Sequence, residues 1–175
     1  VAAQELCGRP YPAAELEKTW KNFLFHQFHD ALCGCSIERV GADTAAAFAA
    51  AYADAERLSA YSVQAIAAQV DTSRGFTGAE ANARWGKPVV VFNAEAWSRS
   101  AEIRVAGLYK GQELPRKAYS AFDVNGNRFP VQLVRGQSLF WYTRDGVFRA
   151  EIPAYGYKLF YIREDNAPAC AKNCD

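Results

Sequence analysis

Neither proline nor glycine interrupts residues 44–68, and alanine fills much of that run. Glycine and proline are the residues a helix interior tolerates least and alanine the one it favours most, so the stretch is committed to a long helix. Large side chains recur at Phe48, Tyr52, Leu58, Ile66 and Val70, with Ala55 and Ser62 filling the steps. Those intervals of three and four draw one apolar stripe. Asp43 stands where an N-cap would start it. A long helix still needs something to pack against, and a partner lies upstream. Leu16, Trp20, Phe23, Leu24, Phe28 and Leu32 repeat the same intervals, and Cys33-Gly34-Cys35-Ser36 then breaks the pattern. Gly34 suits the left-handed turn that follows a helix. The expectation is two helices packed antiparallel across that turn, with their aromatic and alanine stripes buried as core.

From Pro88 onward the periodicity changes. Residues 73–87 hold three glycines among polar residues and read as a linker. Val89-Val90-Val91-Phe92-Asn93 reads as a buried strand, and Ala101-Glu102-Ile103-Arg104-Val105 alternates as a half-buried one. Asn125-Gly126-Asn127 between two apolar runs, 122–124 and 128–134, is a hairpin signal. A second pairing is expected between 139–143 and 146–152 around Arg144-Asp145-Gly146, and 156–163 makes the last strand. Pro130 suits an edge or a bulge. The fold class expected is α+β in two modules, an antiparallel helical bundle followed by an antiparallel β-sandwich. The corresponding domains are 1–74 and 88–175, with 75–87 as linker.

Composition limits the partners. Net charge is +1 over 175 residues, which gives neither a nucleic-acid footprint nor an acidic solvating tail. Six basic and nine acidic residues precede position 75 and fourteen and ten follow it, a mild asymmetry that fits two modules. No apolar run approaches the roughly 20 residues that cross a bilayer, so no membrane partner is expected. Homo-oligomerisation is left open. The chain has no methionine and opens on a loop-like VAAQELCGRPYP, which reads as a piece excised from a longer protein. Its five cysteines are Cys7, Cys33, Cys35, Cys170 and Cys174. Their spacings match no zinc motif, and Cys33 and Cys35 do not easily bridge to each other. Reduced thiols in a cytoplasmic protein are the better reading, with a Cys170–Cys174 link after purification as an alternative.

Both histidines lie in one stretch, residues 15–37. His26 and His29 are three apart and should project from nearly the same helical face, with Asp30 beside the second. By chemistry alone this is too little for a metal site. A closed zinc site takes four ligands and a catalytic one about three from protein, and the chain has no HExxH and no CxxC pair.

Tyr11-Pro12, Leu16, Trp20-Lys21 and Gln27-Phe28-His29-Asp30 with Gly34, Ser36 and Ile37 resemble the family 38 glycoside hydrolases, the retaining alpha-mannosidases. More weakly, 88–93 with Trp97, Ser98 and Arg99, and then Ile152-Pro153-Ala154-Tyr155-Gly156-Tyr157, are similar to the start and end of that family's first β domain. The family proline after Asn93 is Ala94 here. The resemblance implies a helical middle domain leaning on a catalytic barrel of the same chain. It implies His29 as a ligand of the catalytic zinc and Asp30 as a contact to mannose hydroxyls; it gives His26 no metal role, which leaves that residue to packing or to supporting the site from behind its ligands. It implies that no catalytic carboxylate lies in this piece, because nucleophile, acid/base and the other zinc ligands come from the barrel. The substrate would be a mannose-containing glycan or oligosaccharide. Asn93 and Trp97 are expected to fix the β domain's first turn and its packing on the bundle. A rival reading is a non-catalytic carbohydrate-binding or assembly module, with Tyr119, Phe140, Trp141 and Tyr142 as a sugar-stacking platform.

Overall fold

The computed structural model describes residues 1–73, 86–111, 115, 117–136 and 143–165. The chain divides into two compact units, 1–70 and 71–175, and is α+β: among the described residues the first unit has four helices and the second six strands. All but the last two residues of the expected linker lie outside the described residues, as do Phe140, Trp141, Tyr142, Cys170 and Cys174.

The first unit holds α1 (Ala2–Cys7), α2 (Ala13–Phe25), α3 (His29–Leu32) and α4 (Glu38–Ala67). The alanine-rich run forms α4, but the helix starts earlier than Asp43. Ile37 is its N-cap, and Asp43 sits exposed inside it. Gly41 is exposed there too, and in such a position glycine costs a helix only about 1 kcal/mol. Thr44, Ala51, Leu58 and Ala65, seven residues apart, are the buried line. Glu15 of α2 meets Arg57 of α4 at 2.7 Å, while Phe23 meets Phe48 with ring centroids 5.3 Å apart. Ascending α2 therefore runs against descending α4, antiparallel as expected. Near the far end of α4, Cys7 donates to the Ala65 carbonyl and Arg9 to the Tyr61 hydroxyl.

The stripe expected as core is only partly core. Trp20, Leu24, Phe28, Leu32 and Tyr52 are all more than half exposed. Periodicity tells which side chains share a face; it does not supply the layer that covers the face, and a pair of helices covers only one side of each.

The second unit is an antiparallel sheet of β1 (Lys87–Asn93), β2 (Arg99–Lys110), β3 (Ala118–Asp123), β4 (Arg128–Arg135), β5 (Thr143–Ile152) and β6 (Gly156–Asp165). Two facing sheets were expected; hydrogen bonding instead runs continuously in the order β1-β6-β3-β4-β5-β2. The joint is β4, which pairs with β3 through Val131 and with β5 from Gln132. A strand that changes partners midway turns the corner of a sheet without ending it. Pro130 lies in the half paired on one side only, which suits a residue with no N–H to donate. Both arms feed one core: Ile103, Phe148, Ala150 and Ile152 from one, Ala121, Phe160 and Ile162 from the other.

The Arg144-Asp145-Gly146 turn does not exist; all three residues lie inside β5. Asp145 is buried, accepts from Arg104 Nε at 2.8 Å and from the Gly107 N–H at 2.9 Å. A Cβ on Gly146 would collide with the Leu108 side chain. These are long-range partners, so a turn-like tripeptide is held extended. The Asn125-Gly126-Asn127 hairpin does form, with Gly126 at φ 86°. Asn93 fixes the first turn of the unit as expected. Its Nδ2 donates to the carbonyls of Trp97 at 2.8 Å and Pro153 at 3.0 Å, and its Oδ1 accepts from the Glu95 N–H.

Asp123 organises the hairpin. Its carboxylate accepts from the Asn125 and Asn127 N–H groups at 3.0 and 2.9 Å and from the Asn127 side chain at 2.9 Å, with Lys158 Nζ at 3.4 Å. Burial works against the charge, but these donors outweigh it and hold the carboxyl below its ordinary pKa. Because the folded pKa is depressed, the stabilisation is complete above the unfolded value and drains away as pH falls below about 4. Asp123→Asn should therefore lower the urea midpoint at neutral pH and flatten its fall in acid. An acid limb as steep as that of the parent would contradict this.

Candidate active-site rim

Helix α2 stops at Phe25, although the apolar intervals continue past it. Its last bonds tighten, with Gln27 N donating to Leu24 O and Phe28 N to Phe25 O. Phe28 is then extended at φ −52°, ψ 138°, and α3 starts afresh at His29. The expectation of one helix carrying both histidines on one face is thus corrected: the break separates them. His26 is half-buried, its Nδ1 2.9 Å from the Asn22 carbonyl and its ring 6.4 Å from that of Phe48. Packing is its role.

His29 is the more open of the two. Its side chain is 79% exposed, the Phe28 ring lies 4.3 Å away, and Asp30 Oδ1 stands 3.4 Å from Nε2. The backbone beneath is tied down. The Asp30 carbonyl accepts from Ser36 Oγ at 2.8 Å, and Gly34, at φ 77°, donates its N–H to Ala31 O. An imidazole and a carboxylate are therefore presented side by side and exposed, on a short helix clamped by the turn that follows it. That pair can contribute a metal ligand and a hydroxyl acceptor to something brought against it.

It cannot hold zinc by itself. Among the described residues no group of three or more His, Cys, Asp or Glu side chains is arranged to share an ion. One imidazole is a quarter of a closed site.

Beside α2, side chains expected as core line an open space instead. An apolar groove of about 530 Å³ runs between α2 and α4, walled by Leu16, Trp20, Phe23, Phe48, Tyr52 and Ala55. On α4 the large Phe48 and Tyr52 alternate with the small Ala51 and Ala55, and that alternation facing Leu16, Trp20 and Phe23 is the signal that could have found it.

The rim and its helices have counterparts elsewhere. Residues 1–66 match the family described as alpha mannosidase middle domain. The match spans α1, α2 and α3 and nearly all of α4, so it contains His29, Asp30 and the Cys33–Ser36 turn. It points to a glycosidase of the alpha-mannosidase kind as the parent protein. No curated protein matches the chain.

Within residues 1–66, His29 and Asp30 stand side by side and exposed, while His26 is half-buried against Phe48. In the β unit, Tyr119 is half-buried, its ring 6.4 Å from Tyr109 and its hydroxyl 3.5 Å from Glu164. Tyr119 is thus a packed residue in a sheet, and the three aromatics proposed to join it in a sugar platform fall outside the described residues. No helix among the described residues is long and apolar enough to cross a membrane.

Proposed function

We propose that this chain is the middle-domain region and first β domain of a retaining, zinc-dependent alpha-mannosidase of glycoside hydrolase family 38. The observation that carries the reading is the exposed His29–Asp30 pair in a region matching the alpha mannosidase middle domain. His29 would supply one ligand to the catalytic zinc, and Asp30 would accept hydrogen bonds from mannose hydroxyls. Metal binding requires the neutral imidazole. Bound zinc would supply a Lewis acid for the sugar's oxygens.

A retaining glycosidase needs a nucleophilic carboxylate and an acid/base carboxyl about 5 Å apart. In this proposal both, with the remaining zinc ligands, come from a barrel encoded outside these residues. The natural substrate is a terminal alpha-linked mannose on a glycan or oligosaccharide. Cys7, Cys33 and Cys35 are free, which suits a reducing compartment such as the cytoplasm.

The 175-residue chain by itself is expected to show no hydrolysis of an aryl alpha-mannoside and no stoichiometric zinc after dialysis. Turnover by the purified chain would overturn the division of labour proposed here.

A further inference from the structure

Where β4 ends and β5 begins, the ladder sets two arginines directly opposite each other, Arg135 and Arg144. At the next position along, the Gly136 N–H donates to the Thr143 carbonyl at 3.0 Å. Hydrogen-bonded and non-bonded pairs alternate in an antiparallel ladder, so the arginine pair is a non-bonded one. Such a pair has its Cα atoms about 4.5 Å apart and its side chains at their closest. Like charges placed directly opposite destabilise a sheet. Among the described residues no carboxylate is ion-paired with either guanidinium. Asp145, the acid next in sequence, is taken by Arg104 and by the Gly107 N–H. Glu102 and Glu151, the other acids of these strands, pair farther along, with Arg149 and Ser100. The six residues joining β4 to β5, Gln137 to Tyr142, include no acid at all.

We propose that Arg135 and Arg144 form a site for a phosphate dianion, either free or as a phosphate monoester. Guanidinium groups match phosphate oxygens in pairs, and two adjacent cations are balanced by one phosphate, which carries close to two negative charges at neutral pH. A carboxylate carries one and leaves the repulsion half answered. Arg135 is exposed and Arg144 half-buried, so the pair is reached from solvent. On its other side Arg144 is paired with Tyr109 of β2. Directly opposed residues share a face, so a phenol and two guanidiniums stand in a row across three strands. The Arg104 Nη2 donates to the Arg135 carbonyl at 3.1 Å and steadies the backbone beneath that row. The site lies wholly within the β unit and is independent of the mannosidase reading.

The test is thermal melting of the 175-residue chain at low ionic strength, followed in the strand region of the circular dichroism spectrum. Sodium phosphate should raise the melting temperature by about 5 °C more than sodium chloride of equal ionic strength, because an ion that binds only the folded chain stabilises it. Arg135→Gln and Arg144→Gln should each lose most of that rise. Without phosphate, Arg135→Gln should melt at or above the parent, since the repulsion is gone. Arg149, exposed on the same strand and bonded to Ser100 Oγ at 3.2 Å, is the control, and Arg149→Gln should respond as the parent does. Methyl phosphate separates the sources. A rise equal to that from inorganic phosphate assigns a monoester and no rise assigns the free ion, and either supports the pair. Equal effects of phosphate and chloride, an equal rise with acetate, or a phosphate response kept in Arg135→Gln would each overturn the proposal. So would an Arg135→Gln chain that melts below the parent without phosphate, or loss of the response in Arg149→Gln.

Discussion

His29→Ala in the full-length protein is expected to remove zinc-dependent mannosidase turnover, a loss of more than about 100-fold. Disturbing only the groups that orient a metal's ligands costs 10–100-fold, and this change deletes the ligand itself. The loss should come with lower zinc occupancy and little change in thermal stability, because the His29 side chain is 79% exposed. The neighbouring histidine supplies the contrast. His26 is half-buried against Phe48 and bonded to the Asn22 carbonyl, so His26→Gln should cost some stability and leave zinc content as it was. Assays of turnover, zinc content and melting temperature on the two variants separate a ligand from a packing residue. Full turnover in His29→Ala would remove the imidazole from the metal site.

The largest stability effect is expected at Phe160. The side chain is fully buried, with ring centroids 5.1 Å from Phe148 and 5.5 Å from Phe129, both edge-on. It joins β6 to β5 and β4 at the centre of the curled sheet. Truncation to alanine removes a whole ring from a packed core, which costs about 3–5 kcal/mol, including the edge-to-face terms of about 1 kcal/mol each. A unit of about 100 residues has only some 5–15 kcal/mol to lose. The melting temperature of the β unit should fall by about 15–30 °C, as read from thermal denaturation followed in the strand region of the circular dichroism spectrum. A fall of only a few degrees would mean that the core does not close around this ring.

Local features of the fold were legible in the sequence, and features set by distant partners were not. The long helix followed from alanine and the lack of breakers, and the 125–127 hairpin from asparagine and glycine, whose effects are exerted within a few residues. Gly41 and Asp43 misplaced the start of α4 because a cap signal is weak against the propensity of the rest of the helix. The break at His26–Phe28 left no mark, since the apolar intervals run straight through it. Arg144-Asp145-Gly146 looked like a turn because nothing nearby in sequence reveals Arg104, Gly107 and Leu108. As for the site, the sequence pattern picked out His29 and Asp30, yet the helix break between the histidines, which leaves the first exposed and His26 half-buried, has no signature in the pattern.

The proposed zinc site is tested most directly by a crystal structure of the full-length protein with diffraction recorded across the zinc absorption edge. The account predicts an anomalous peak bonded to a ring nitrogen of His29 at about 2.0–2.1 Å, with Asp30 beside it at the mouth of the site. A fully coordinated zinc with His29 still facing solvent would contradict it.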